Sequence, residues 1–209
     1  LGGHSGFIHK LESNLSLIFV AAVITVIFTW GVTRYGIPAA ADAIVDSIPA
    51  TTRDLLDQKV LEIADDNLFK PSELSVEKQQ ELAELFADVS STLQVSAKDY
   101  RFLLRKGSRN LGANALAFPS GTIVMTDELV LLATDNKQIA GVIAHELGHL
   151  EGKHSLRQLV RGSIVTFVVA AITGDVSSVS AVAVSAPTLL LELQYSREFE
   201  IQADKTSIQ

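Results

Sequence analysis

The sequence has no cysteine, one methionine, one tryptophan and only five prolines among 209 residues. Without cysteine the chain can form neither disulfides nor thiolate zinc sites, so any bound metal must be held by histidine, aspartate or glutamate. Basic side chains are also scarce, 17 against 24 acidic ones, and a net charge of -7 has the wrong sign for neutralising phosphates. We therefore expect no nucleic-acid partner.

Apolar residues are abundant, at 47% of the chain, which is enough for a sizeable core and excludes a disordered or fibrous protein. Much of this excess lies near the N-terminus, where residues 15–33 carry no charge. At about 1.5 Å per residue, a helix of this length spans the roughly 30 Å of a bilayer. Trp30 and Tyr35 stand at one end, where interfacial aromatic residues are common.

These features predict a transmembrane anchor over residues 15–34. A buried core helix or the apolar part of a signal peptide is the alternative, but the run exceeds a typical signal core and no A-x-A cleavage site follows closely. Lys10 and Arg34 flank the run with one charge each, so the positive-inside rule leaves the orientation open.

The rest of the chain divides by composition. We predict an N-terminal tail over 1–14, a proline-containing juxtamembrane connector over 35–74, and a domain over 75–209. Ser75 opens a helical pattern, and strand-like runs follow at 100–104, 115–118 and 122–125. They indicate a small antiparallel sheet with a hairpin. Thr126 or Asp127 can begin a short helix, and Asp135 with Gln138 can cap the next, so the predicted fold class is α+β, mainly helical.

The segment His145-Glu146-Leu147-Gly148-His149 is an HExxH pattern within that second helix. Residues four apart on a helix lie about 40° apart around the axis and roughly 6 Å along it, so both imidazoles can reach one ion. Glu146 lies at the rim of the same face, where a carboxylate can take a proton from water without binding the metal. A structural zinc site is the alternative, but such sites usually have four protein ligands and favour cysteine.

Two histidines leave an ion short of ligands, so a third group is needed. Glu200 and Asp204 are four residues apart, and a helix would present both carboxylates on one side. One can bind the metal while the other accepts the outer N–H of a ligand imidazole. His154 and Glu192 are the competitors, and His154 would project from a different side of a continuing helix. A solvated acidic face remains the alternative reading of this pair.

The HELGH segment, SREFEIQAD about fifty residues later and NALAFPSGTIVMTDEL before it together resemble the membrane-associated zinc endopeptidases that include the CAAX prenyl proteases, HtpX and BepA. These form metallopeptidase family forty-eight, within the gluzincins, and the resemblance runs from about Ser72 to the end. It implies a zincin-like domain holding one Zn²⁺ per chain. The implied ligands are His145, His149 and Glu200, with Glu146 as general base and acid and Asp204 as the partner of a ligand histidine.

The resemblance also implies an edge strand along the substrate cleft, formed by Asn114, Ala115, Leu116 and Ala117. Unpaired backbone groups on such an edge can pair with an extended peptide of any sequence, although an ordinary sheet strand is an equal alternative. Relatives carry a His or Arg that stabilises the oxyanion well beyond the third ligand. We therefore expect the domain to be truncated at its C-terminus, with Arg197 as the substitute candidate within the sequence.

We thus expect a zinc endopeptidase that acts on unfolded or membrane-proximal proteins in protein quality control, with membrane lipid as its other partner. The resemblance implies one span in a bacterial inner membrane and a protease domain on the extracytoplasmic side. The rival is a membrane-tethered chaperone or scaffold with structural zinc, and a hydrolase of small amides is a third class. Between the two halves of the site, residues 162–174 and 176–191 fall short of the roughly 20 residues of a span, which favours a helical hairpin.

Overall fold

The computed structural model describes residues 15–97, 99–119, 121–174 and 195–207. The strands are β1 (Phe69–Pro71), β2 (Arg101–Gly107), β3 (Ala115–Ala117) and β4 (Thr122–Thr126). The helices are α1 (Leu15–Gly31), α2 (Ile37–Ser47), α3 (Ala50–Asn67), α4 (Val76–Thr92), α5 (Asp127–Leu132), α6 (Asn136–Glu151), α7 (His154–Thr173) and α8 (Arg197–Ser207). The predicted α+β, mainly helical class is confirmed.

The N-terminal helices form one long rod. A π-helical turn over Val32–Gly36 joins α1 to α2, so the helical segment runs from Leu15 to Ser47. No residue of α1 is buried. By length and composition this helix can cross a membrane, which fits the predicted anchor.

Helix α7 meets the same criterion of length and composition. The helix begins at His154, before the uncharged stretch 162–174, and has 20 residues. The length of the uncharged stretch alone is therefore shorter than the helix that contains it. The second arm of the predicted hairpin, residues 176–191, lies outside the described residues.

The four strands form one mixed sheet in the order β1-β2-β4-β3. Strand β2 is antiparallel to β1 but parallel to β4, while β3 and β4 form the predicted hairpin. The expectation of an antiparallel sheet is wrong for the central pair, because the hairpin places β4, and not β3, beside β2. Strand β1 belongs to the predicted connector, so the sheet crosses the predicted boundary between residues 74 and 75.

The core lies on both faces of this sheet, and every position of β4 is buried. On one face Ile123 and Met125 pack among buried side chains of α4 and α6, which are Leu82, Phe86, Ile139, Ile143 and Leu147. On the opposite face Val124 packs with residues of α3 and with Phe69 and Phe118. The alternation along β4 explains why adjacent residues enter different clusters.

The predicted helix starts are confirmed at Ser75, Thr126 and Asp135. Each side chain accepts a hydrogen bond from the backbone N–H three residues later, at 3.2, 3.4 and 2.9 Å respectively. Asp127 lies inside its helix, and its buried carboxylate accepts hydrogen bonds from the Ser72 hydroxyl and the Glu73 N–H. The cap at Asp135 begins α6 so that the HELGH segment occupies its C-terminal half.

Candidate metal centre

Helices α6 and α8 are in backbone contact at Gly148 and Ala203. A Cβ on Gly148 would lie 2.8 Å from both the Cα and the carbonyl oxygen of Ala203, so only glycine fits this approach. Ala203 is fully buried. The close approach brings residues 145–149 beside residues 200–204, although some fifty residues separate them in the chain.

Three predicted ligand residues converge at this contact. The Nε2 atoms of His145 and His149 are 3.0 Å apart, and the Glu200 carboxylate lies 3.4 Å from the first and 3.8 Å from the second. A tetrahedral ion bound at about 2.0–2.1 Å would separate its ligand atoms by roughly 3.3 Å. The three groups therefore fit one divalent transition metal, and in the described part of the chain no other cluster of this kind occurs.

Asp204 holds the outer nitrogen of His145. The Asp204 Oδ1 lies 3.0 Å from His145 Nδ1. An ionised carboxylate only accepts hydrogen bonds, so Nδ1 carries the proton and Nε2 keeps its lone pair toward His149 and Glu200. This is the contact expected of a partner for a ligand histidine.

His149 is the most deeply buried of the three groups, with 1% of its side chain exposed. Burial, followed by the positive charges that His145 and His154 would carry, lowers the pKa of His149 to about 3. The imidazole is therefore neutral at physiological pH, which is the form that binds a metal.

Glu146 lies beside the cluster and is buried, with 7% exposed. Its carboxylate accepts a hydrogen bond from the Ala117 N–H, while Oε2 has no hydrogen-bond partner among the described residues. Burial, together with the negative charge of Glu200, raises the pKa of Glu146 to about 7. A carboxyl group with this pKa can both take and release a proton at neutral pH.

The predicted substrate strand is at the edge of the sheet formed by the described residues. Antiparallel pairing of Leu116 with Val124 turns the backbone groups of Ala115 and Ala117 outward. Ala117 uses its N–H on Glu146 and its carbonyl on the Ser155 hydroxyl. The Asn114 side chain accepts a hydrogen bond from the Ala115 N–H at 2.9 Å. This edge is thus in direct contact with the buried carboxylate.

His154 differs from its expected position. Helix α6 ends at Glu151, and Lys153 has a left-handed φ of 50°, so the expected continuous helix is broken before His154. The turn places His154 Nδ1 2.9 Å from His149 Nδ1, on the ring nitrogen opposite the ligand cluster. His154 therefore does not compete with Glu200, and its role as a neighbour of His149 had no signal in the helical spacing.

Tyr195 is a site residue that sequence reasoning missed. Its ring stacks on His149 with centroids 3.9 Å apart and planes at 19°, and its hydroxyl is hydrogen-bonded to Ser155 at 2.6 Å. Burial raises its pKa, so the phenol stays protonated. Its only signal in the sequence is its place directly before the SREFE segment.

Two further candidates from the sequence are Glu192 and Arg197. Glu192 lies outside the described residues. Arg197 is exposed at the start of α8, and no hydrogen bond or ion pair of the described residues joins it to the ligand groups. The ligand candidates that the structure brings together are His145, His149 and Glu200.

Comparison with known proteins is consistent with this geometry. A family model described as Peptidase family M48 matches residues 76–209, more than half of the chain. The matched region begins at the first residue of α4 and contains both helices of the metal centre. No curated protein shows a significant match to the sequence.

Proposed function

The chain belongs to peptidase family M48, a family of metallopeptidases, and from this premise we propose that it is a membrane-anchored zinc endopeptidase. Its proposed substrates are unfolded or membrane-proximal proteins, in protein quality control. The observation that carries the proposal is the convergence of His145, His149 and Glu200, whose ligand atoms all lie within 4.8 Å of one another, beside the buried Glu146. Membership of a peptidase family does not favour a membrane-tethered chaperone without proteolysis.

Zinc is the proposed metal because two imidazoles and one carboxylate are the protein ligands of many catalytic zinc sites, which keep a further position open. His145, His149 and Glu200 would hold it. When bound, zinc supplies Lewis acidity, which activates water and polarises the scissile carbonyl.

Glu146 is the proposed general base and acid. The Ala117 N–H holds its carboxylate in position, and Oε2, which has no hydrogen-bond partner among the described residues, is the atom that exchanges the proton. In the ionised form it removes a proton from the attacking water, and the same group then donates that proton to the leaving amine.

Strand β3 is the proposed binding site for the peptide backbone. An extended substrate can pair with a sheet edge through main-chain hydrogen bonds, which gives affinity without sequence specificity. On β3 the N–H groups of Ala115 and Ala117 and the Ala117 carbonyl already have partners within the chain, so a bound peptide would have to replace some of these contacts. Because the Ala117 N–H is hydrogen-bonded to Glu146, a peptide on β3 would have its backbone beside this proposed general base. Unfolded proteins fit this site because their backbone is free to extend.

The membrane part of the proposal rests on α1 and on the direction of α7. Lys153 and Arg157, at the start of α7, pair with Asp46 and Asp42 of α2 at 3.0 and 3.3 Å. Helix α7 therefore runs antiparallel to the N-terminal rod, and its exposed apolar end extends in the direction of α1. Its start carries His154, next to the ligand cluster. With α1 in a membrane, this arrangement would hold the centre near the membrane surface. The proposed location is a bacterial inner membrane, with the protease domain on its extracytoplasmic side.

Replacement of Glu146 tests the proposal. In the full chain in detergent or nanodiscs, Glu146→Gln should slow cleavage of a casein-like substrate by about 10²–10⁴-fold, the usual contribution of general acid–base catalysis. Zinc content, measured by metal analysis, should stay unchanged because Glu146 is not a proposed ligand. Glu84→Gln, on the exposed part of α4, is the matched control and should cleave normally.

Three outcomes count against parts of this scheme. Normal cleavage by Glu146→Gln would remove the assigned base. Loss of zinc in that variant would make Glu146 a ligand. If the wild-type protein binds unfolded clients, with no cleavage at any zinc concentration, the chaperone alternative replaces the peptidase.

A further inference from the structure

A chain of polar side chains leads from His149 away from the ligand cluster to the surface of α8. His149 Nδ1 lies 2.9 Å from His154 Nδ1, and His154 Nε2 lies 3.0 Å from Gln202 Oε1. His154 is fully buried, whereas Gln202 is exposed. Gln202, at the outer end of this series of hydrogen bonds, can therefore be substituted without disturbing the core.

The ring of His154 is held in one position by its surroundings. It stacks on Phe199 with centroids 4.2 Å apart and planes at 11°. A Cβ on Gly152 would lie 2.1 Å from His154 Nε2, so the ring occupies the space that a side chain at this glycine would need. These contacts aim the two ring nitrogens of His154 at His149 and Gln202.

The proton positions along this series of hydrogen bonds follow from whether each atom can donate or accept a hydrogen bond. An amide oxygen only accepts hydrogen bonds, so His154 Nε2 must donate to Gln202. A neutral imidazole carries a single N–H, so His154 Nδ1 must accept from His149 Nδ1. His149 Nε2 is then left without a proton, and it is the atom that faces His145 and Glu200.

Rotation of the Gln202 amide by half a turn would reverse every step. The amide nitrogen would donate to His154, and His154 would donate to His149 Nδ1. His149 Nε2 would then carry the proton and could not bind a metal. This series of hydrogen bonds therefore has two proton arrangements. Only the arrangement with the amide oxygen toward His154 leaves a lone pair on His149 Nε2 for a metal.

We propose that Gln202 is a positioning residue: with its amide oxygen toward His154, as in this structure, it favours through His154 the tautomer of His149 that binds zinc. The proposal rests on the proposed zinc site. The tautomer of His145 is fixed directly by Asp204, which lies on α8 like Gln202. An ionised carboxylate has no donor, so this contact has only one hydrogen-bond direction. Helix α8 would thus supply one ligand, Glu200, and also set the proton positions of both ligand imidazoles.

Substitutions at Gln202 test the proposal in the full chain. Gln202→Met keeps the length but removes the acceptor, whereas Gln202→Glu keeps an acceptor that cannot donate when ionised. Zinc affinity, measured by competition with a chromophoric chelator, should fall about 10–100-fold in Gln202→Met, the usual loss when the partner of a ligand histidine is removed. Gln202→Glu should retain the wild-type affinity. Ile201→Met, at an exposed neighbouring position, is the matched control.

A second readout does not depend on zinc. Nitrogen NMR of the histidine rings in the metal-free full chain reports which ring nitrogen carries the proton. His149 should be protonated at Nδ1 in Gln202→Glu and mainly at Nδ1 in the wild type, and should populate the Nε2–H form more strongly in Gln202→Met. At the next step, His154→Asn keeps an acceptor for His149 Nδ1 and should retain more zinc affinity than His154→Leu.

The outcomes separate this proposal from the proposed function. If the wild-type chain binds no zinc, the peptidase proposal fails, while the tautomer measurement still decides for or against the role of Gln202. If the wild type binds zinc and Gln202→Met matches Ile201→Met in both affinity and tautomer, the selection by Gln202 is refuted and the zinc site stands. A loss of affinity with an unchanged His149 tautomer also refutes it.

Discussion

Helices α1 and α6 are both rich in apolar residues, but they use them in opposite ways. In α1 the side chains face outward, with Phe19 70% and Phe28 69% exposed. In α6 Ile143 and Leu147 are completely buried against the sheet and α4. The difference lies in the pattern, because α1 is apolar on all sides, whereas α6 alternates an apolar stripe with polar groups.

The comparison assigns a separate task to each region. The apolar residues of α6 stabilise the domain and hold its histidines against α8, while those of α1 are exposed, as the proposed membrane anchor requires. The only ion pair from the segment directly after α1 to α8, among the described residues, joins Arg34 to Glu198 on the surface. We therefore expect substitutions of the ligands and of the buried residues of α6 and α8 to change zinc binding or stability, and those in or beside α1 to leave both unchanged.

The largest expected effect is the loss of the carboxylate ligand. Glu200→Ala should weaken zinc binding by roughly 10³-fold, because it removes one of the three proposed protein ligands, and protein zinc sites with four ligands bind with about 10–16 kcal/mol in total. Glu198→Ala, on the same helix, removes only the exposed contact to Arg34 and should retain zinc. Metal analysis after dialysis measures both, and equal losses would contradict the choice of ligand.

The apolar residues of the two helices can be compared directly. Ile143→Ala should lower the free energy of unfolding by about 2–5 kcal/mol, because it leaves a cavity in a packed core. Ile24→Ala, which is 61% exposed in the wild type, should leave the unfolding of the domain unchanged. Urea unfolding in detergent, followed by circular dichroism, measures both. A similar loss in the two variants would mean that α1 packs on protein.

The buried carboxylate predicts a pH dependence of stability in the metal-free protein. The pKa of Glu146 is about 7 in the folded chain against 4.5 in the unfolded one. Between these values the folded state binds more protons, so the free energy of unfolding falls as pH rises and stays low above pH 7. Glu146→Gln lacks this titration and should gain up to about 3 kcal/mol over the wild type by pH 8. If the difference in free energy of unfolding between the two proteins stays constant from about pH 4 to 8, the raised pKa of Glu146 is contradicted.

The smallest expected effect concerns the contact of α6 with α8. Gly148→Ala should cost about 1–3 kcal/mol, because the new methyl group meets the backbone of Ala203. It should also weaken zinc binding, since Glu200 moves with α8. Gly162→Ala in α7 is the matched control, where a Cβ meets nothing within 4 Å, and should stabilise the chain by up to about 1 kcal/mol. If Gly148→Ala leaves the zinc affinity unchanged, the position of the ligands does not depend on the contact between α6 and α8.

Local sequence patterns predicted much of this structure. The caps at Ser75, Thr126 and Asp135 and the hairpin before α5 are set by short-range hydrogen bonds, so their signals lie within a few residues. The family match likewise agrees with the resemblance read from three separate motifs. The parallel pairing of β2 with β4 had no such signal, because strand order depends on contacts between distant segments.

The sequence by itself determined which groups could bind a metal, since a spacing of four residues on a helix puts His145 beside His149 and Glu200 beside Asp204. Only the tertiary structure decided that these two pairs meet. Their meeting depends on Gly148 and Ala203, whose small size lets the backbones of α6 and α8 touch. It also decided that His154 and Tyr195 flank His149 and that Gln202 contacts His154. His154 reaches this position because a left-handed residue at Lys153 redirects the chain. Periodicity reports the geometry within one helix, whereas contacts between helices depend on packing of residues far apart in the chain.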